Sequence, residues 1–112
     1  MNDLTTSHQE YFINKLSDPE EAAAYLNAMV EEVAEDNLSD AQTLILTALK
    51  NIIQAQGGMQ ALAEKTGLNR QGLYKILSAN GNPRFTSLLD ILEFAGISIE
   101  FRPKKTQSKK QA

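Results

Sequence analysis

The stretch MQALAEKTGLNRQGLYKIL, residues 59–77, leaves its chain few ways to fold. Two short runs with helical spacing meet at Gly67-Leu68. When two helices cross closely, the first needs a small residue at the crossing, and Ala63 supplies it. The turn four positions on needs a residue that tolerates unusual dihedrals, and Gly67 supplies that. The second helix needs branched apolar residues on its inner face; Leu73, Ile76 and Leu77 fit, with Leu62 and Leu68 closing the core. The pattern predicts a helix-turn-helix, although a plain helical hairpin meets the same spacing rule.

The flanking sequence predicts more helix. Ser7 and Glu10 form a weak capping box for a short helix through Leu16. Ser17-Asp18-Pro19-Glu20-Glu21 is a strong start signal: Asp18 caps, and Pro19 loses no hydrogen bond in the first turn. Ala22, Tyr25, Leu26, Met29 and Val33 then repeat at helical spacing to about Ala34, and Asn37 closes the helix. Ser39 and Gln42 form a second capping box, opening a helix that buries Leu49, Ile52 and Ile53 and ends at Gly57-Gly58. After the 59–66 and 69–78 pieces and a loop at 79–83, residues 84–95 form a last amphipathic helix stopped by Gly96. There the period falls to two, as Ile97, Ile99 and Phe101 alternate with Ser98, Glu100 and Arg102. This predicts a short C-terminal strand that needs a partner, such as the same strand of a second subunit.

The expected fold is therefore all-α, about five helices around a lambda-repressor-like helix-turn-helix, plus that strand. The expected organisation is a partly ordered segment 1–16, a helix-turn-helix domain with a helical extension over 17–102, and a disordered basic tail over 103–112. No internal repeat is present.

Composition removes most enzyme chemistry. There is no cysteine and one histidine, His8, which excludes disulfides, thiolate metal sites and cysteine nucleophiles and leaves almost nothing for a histidine-based site. Neither a P-loop nor a G-x-G-x-x-G turn is present. The carboxylate group Glu31-Glu32 with Glu35-Asp36 lacks a histidine, lysine or aromatic neighbour to tune it. No enzyme activity, cofactor or metal is expected. No membrane span or signal pattern is present, so the expected location is the cytoplasm.

The net charge of −3 hides a split: residues 1–48 carry ten acids against one base, and residues 49–112 carry ten bases against four acids. Either the basic half faces a polyanion and the acidic half a basic partner, or both are solvated surface. The outer face of the second motif helix is more specific. Its Asn69, Arg70, Gln71, Tyr74, Lys75 and Ser78 are types that reach bases and phosphates, and no acid lies among them. Arg70 and Gln71 stand at the end that enters the major groove in this motif. Asn69 is either a cap or a DNA contact, and Tyr74 either lies on phosphate or half-buries against Phe85. Gly72 costs about 1 kcal/mol relative to alanine, which either a close backbone or phosphate explains or the site simply tolerates. Gln60 is placed to hold a phosphate, and Asn82 and Arg84 around Pro83 could do the same, Arg84 being otherwise a surface charge.

Three stretches carry a family resemblance: DPE-x-x-x-x-YL from Asp18 to Leu26, LAE-x-TGL-x-R-x-x-LYK-x-L, and GNP-x-F-x-x-L from Gly81 to Leu88. With these, residues 16–101 resemble the probable addiction-module antidote proteins, small HigA-like, lambda-repressor/Cro-type antitoxins encoded beside a RelE/ParE/HigB-like toxin. The resemblance implies a dimeric DNA-binding protein that represses its own operon and binds its toxin. Residues 36–40 and the lysine-rich tail lie outside the matching parts, and the resemblance does not say which residues touch a toxin. The acidic face of Glu20, Glu31, Glu32 and Glu35 is the candidate toxin contact, because it must turn away from DNA. The partners to expect are operator DNA, a basic toxin and a second copy, with Ile91, Phe94 and the 97–101 alternation marking the dimer interface. Two readings compete: a stand-alone phage-type regulator without a toxin, and a purely protein-binding helical module.

Overall fold

Asp18 starts the first full helix as its chemistry requires: its carboxylate accepts the Glu20 N–H at 3.1 Å, and its carbonyl accepts the Ala22 N–H at 2.9 Å. The computed structural model describes residues 10–12, 14–32 and 37–104. Within them lie a short helical segment (10–12 and 14–15) and five helices: α1 (Pro19–Glu32), α2 (Leu38–Ala55), α3 (Gly58–Thr66), α4 (Arg70–Ile76) and α5 (Phe85–Ala95). The fold is all-helical. The expected Ser7 cap, Val33 and the tail from residue 105 lie outside the described residues.

One core joins α2 to α5. Leu46, Leu49, Ile53, Leu62, Leu73 and Ile91 are all buried in it, with Ala63 and Leu68 packed alongside. A second cluster of Leu16, Ala22, Ile52 and Ala95 seats the N-terminal segment and α1 on α2 and the end of α5. Both are the apolar stripes the helical spacing predicts. Polar ties reinforce them. The Gln56 side-chain amide donates to Leu16 O at 3.3 Å and to Ala95 O at 3.1 Å, and Asn51 donates to the Tyr25 hydroxyl at 3.0 Å.

Three expectations are corrected. α2 is capped by Asn37 and not by Ser39: Asn37 accepts from the Asp40 N–H at 3.4 Å and donates to the Asp40 carboxylate at 2.7 Å, while the end of α1 that Asn37 was expected to close lies outside the described residues. With that cap in place Ser39 lies inside the helix, and Gln42 instead donates to Gly81 O at 2.7 Å. The C-terminal strand is not seen among the described residues, because a lone alternating segment has no ladder to join. Ile91 is fully buried and cannot mark an interface. Leu88, Ile91, Leu92 and Ala95 form one continuous stripe on α5 with Ile91 at its centre. Phe94, the other expected interface marker, is partly buried against the same core, and the exposed apolar residues of α5 are Phe85, 63% exposed, and Leu89.

Candidate functional site

The α3–α4 pair is built as its residue types demand. Gly67 takes φ +77° and its N–H donates to Ala63 O at 2.8 Å, so α3 stops in a left-handed cap. A Cβ at Gly67 would meet nothing within 4 Å, so the dihedral, not space, calls for glycine. Thr66 adds a turn bond, its hydroxyl accepting from the Leu68 N–H at 3.2 Å. Asn69 then caps α4, accepting the Gly72 N–H at 2.9 Å, so its carbonyl oxygen is engaged by the helix start. Leu73 and Leu77 are buried and hold the inner face of α4 on the core.

On the outer side Arg70, Gln71, Tyr74 and Lys75 are exposed. Arg70 is held from two directions. Its guanidinium donates to the Gln60 side-chain oxygen at 3.4 Å and lies 5.8 Å from the centre of the Tyr74 ring. Gln60 in turn donates to Glu64 at 3.1 Å. These side chains edge a hollow of about 250 Å³ whose other wall is Lys50 and Gln54 of α2, beside the Gly57-Gly58 start of α3. No side chain caps that start, so its first N–H groups open beside two cations. Lys50 and Gln54 were not among the sequence-predicted site residues. They sit on a neighbouring helix, where only the fold brings them to Gln60 and Arg70.

The other expected residues are placed differently. Tyr74 does not stack on Phe85; the one aromatic pair among the described residues is Phe12 with Tyr25, edge-on at 5.2 Å. The Ser78 hydroxyl donates to Lys75 O at 2.8 Å. Arg84 precedes α5 without a side-chain capping bond and is exposed. Asn82 borders a separate apolar hollow of about 380 Å³ with Leu38, Ala41, Ile45 and Leu88. The loop after α4 is tied to α2 by Gln42 on Gly81 O and by Thr43, whose hydroxyl donates to Ala79 O at 3.2 Å.

Of the acidic candidates, Glu20 and Glu31 share a groove of about 640 Å³ between α1 and residues 96–102, floored by Ala23, Leu26, Val30 and Ile97. Glu35 and the Glu32 side chain lie outside the described residues.

Fold and site together define a small all-helical protein with a cationic, amide-rich helix-pair face and a separate acidic groove. The sequence pattern of the family described as probable addiction module antidote protein matches residues 8–103, and the chain belongs to that family. It is also 34% identical over 92 residues to an uncharacterized protein of Haemophilus influenzae strain Rd, an overlap covering 82% of this chain and 84% of the relative. No solved structure matches the chain. Among the described residues no helix is long and apolar enough to cross a membrane.

Proposed function

We propose that the protein is the DNA-binding antidote of an addiction module: a lambda-repressor-like, HigA-like helix-turn-helix protein that represses its own operon and neutralises a RelE/ParE/HigB-like toxin. It acts in the cytoplasm as a homodimer and catalyses no reaction. The observation that carries the reading is the outer face of α4. Arg70, Gln71, Tyr74 and Lys75 are exposed with no acid among them, while Leu73 and Leu77 hold the opposite side in the core. Such a face supplies base-reading and phosphate-binding groups on a rigid element. The hollow between Lys50, Gln60 and Arg70 suits a backbone phosphate that fixes the register of the helix on the duplex. In this reading α4 enters the major groove and α3 presents its open N-terminus to the phosphates.

A purely protein-binding module is the alternative that the acidic groove favours, and a stand-alone regulator is the same DNA reading without a toxin. Mobility shifts with DNA from upstream of the protein's own gene, against scrambled DNA over a salt series, separate them. Specific binding with a steep salt slope is expected. Arg70→Ala and Gln71→Ala should each cost about 1–3 kcal/mol on the operator and relax preference at particular base pairs. Lys75→Ala should weaken all sequences alike and lower the salt slope by about 1. Equal losses on operator and scrambled DNA for Gln71→Ala would remove α4 from the groove. Absence of any salt-dependent shift would leave the protein-binding module. Co-purification with the product of the adjacent gene tests the toxin.

A further inference from the structure

Residues 97–102 alternate Ile-Ser-Ile-Glu-Phe-Arg and run without helix, turn or bend after the Gly96 stop. The Ile97 N–H donates to Leu92 O at 2.9 Å, and past it no hydrogen bond among the described residues engages the backbone of the segment. Phe101 is 87% exposed and Ile99 is 41% exposed. A free row of N–H and C=O groups beside solvent-facing apolar side chains is a template for strand pairing.

We propose that residues 99–103 pair antiparallel with the same residues of a second copy of this chain, with the two-fold axis between the two Phe101 residues. Charge selects that register. With Phe101 opposite its own copy, each Glu100 faces the other chain's Arg102, which gives two opposite-charge pairs on one face and an aromatic pair on the other. Centring on Glu100 would set like charges opposite each other, and centring on Ile99 would leave both ions without a charged partner. Within one chain Glu100 and Arg102 already lie 3.8 Å apart, with side chains 75% and 76% exposed, so exchanging partners strands no buried charge. Pro103 agrees with the same register. Opposite Ile99 it falls on a non-hydrogen-bonded pair if the Phe101 pair is also one, and its missing N–H then costs nothing.

The inference deepens the homodimer reading and rests on it, but its test separates the two. The chain has no cysteine, so a single introduced one reports its own neighbour. Opposed Cα atoms at a non-hydrogen-bonded pair are about 4.5 Å apart, within disulfide range. Full-length Phe101→Cys at micromolar concentration should therefore oxidise to a covalent dimer. Ser98→Cys should not, because six residues of strand, about 20 Å, separate it from its own copy. In sedimentation, Glu100→Arg should weaken dimerisation of the unmodified chain at least tenfold, and Glu100→Arg with Arg102→Glu should restore it. A dimer in which Phe101→Cys fails to cross-link, or cross-links no faster than Ser98→Cys, overturns this seam and leaves the homodimer standing. A chain that stays monomeric while binding its operator overturns both. A chain that engages only a different protein through residues 99–103 overturns the second copy as occupant.

Discussion

Gly72 lies on the exposed side of α4, between Gln71 and the buried Leu73. A Cβ there would meet only Asn69, at 3.8 Å from its Cβ and 3.9 Å from its side-chain oxygen, which is ordinary contact. Within the protein, then, nothing requires glycine. Gly72→Ala should raise stability by about 1 kcal/mol through helix propensity alone, read as a higher urea midpoint with unchanged slope. The proposed DNA reading adds a second expectation: the methyl stands beside Arg70 and Gln71, so operator affinity should fall several-fold. A stabilised variant with full affinity would mean that this part of α4 stays clear of the duplex. Gly81 is the opposite case. It is buried, and a Cβ would run into the Ile76 carbonyl, so lack of space fixes the residue. In the sequence Gly72 falls inside the second motif helix and Gly81 in the loop after it, and neither position says whether glycine is required. Only the packing around each one tells permission from necessity.

At the scale of elements, the start of α2 offers a direct comparison. Asn37→Ala removes the observed cap and should cost about 1 kcal/mol in denaturant unfolding. Ser39→Ala, at the cap position expected from sequence, should stay within about 0.5 kcal/mol. Similar losses for both would return the cap to Ser39. The two candidates stand two residues apart and both have a suitable residue three positions on, Asp40 and Gln42, so local chemistry alone could not rank them. Gln42 was drawn away by a carbonyl that is distant in sequence, that of Gly81. The α3–α4 pair could be read in advance because Ala63, Gly67, Asn69 and Leu73 settle it within a dozen residues. The apolar stripes of α1 and α2 were equally plain. Lys50 and Gln54 were hidden because their place in the candidate site depends on how α2 lies against α3 and α4. Ile91 misled because the stripe of α5 was centred in the wrong place: with Leu88, Leu92 and Ala95 it falls in the middle of the buried face.

For the whole molecule the division of charge has a spatial counterpart. Lys50, Arg70 and Lys75 belong to the α4 side, with Glu64 beside Gln60, while Glu20, Glu31 and Glu100 stand on the groove along α1 with Arg102 among them. On the proposed antidote reading, Glu20→Lys with Glu31→Lys should weaken toxin binding about tenfold and leave operator affinity within about twofold, measured by titration with each partner. Both side chains are exposed, so the fold should survive the change. Full neutralisation of the toxin by the reversed protein would reduce the groove to solvated surface. Gln56 gives the molecule another property. One amide holds the carbonyl that ends the N-terminal segment and the carbonyl that ends α5, so the two ends of the domain are moored at a single post. That amide spans the buried cluster of Leu16, Ala22, Ile52 and Ala95, so the N-terminal segment and the end of α5 share one apolar seat as well as one donor. Local opening at one of these two ends therefore loosens the other, and the two should fray as a single unit joined through Gln56.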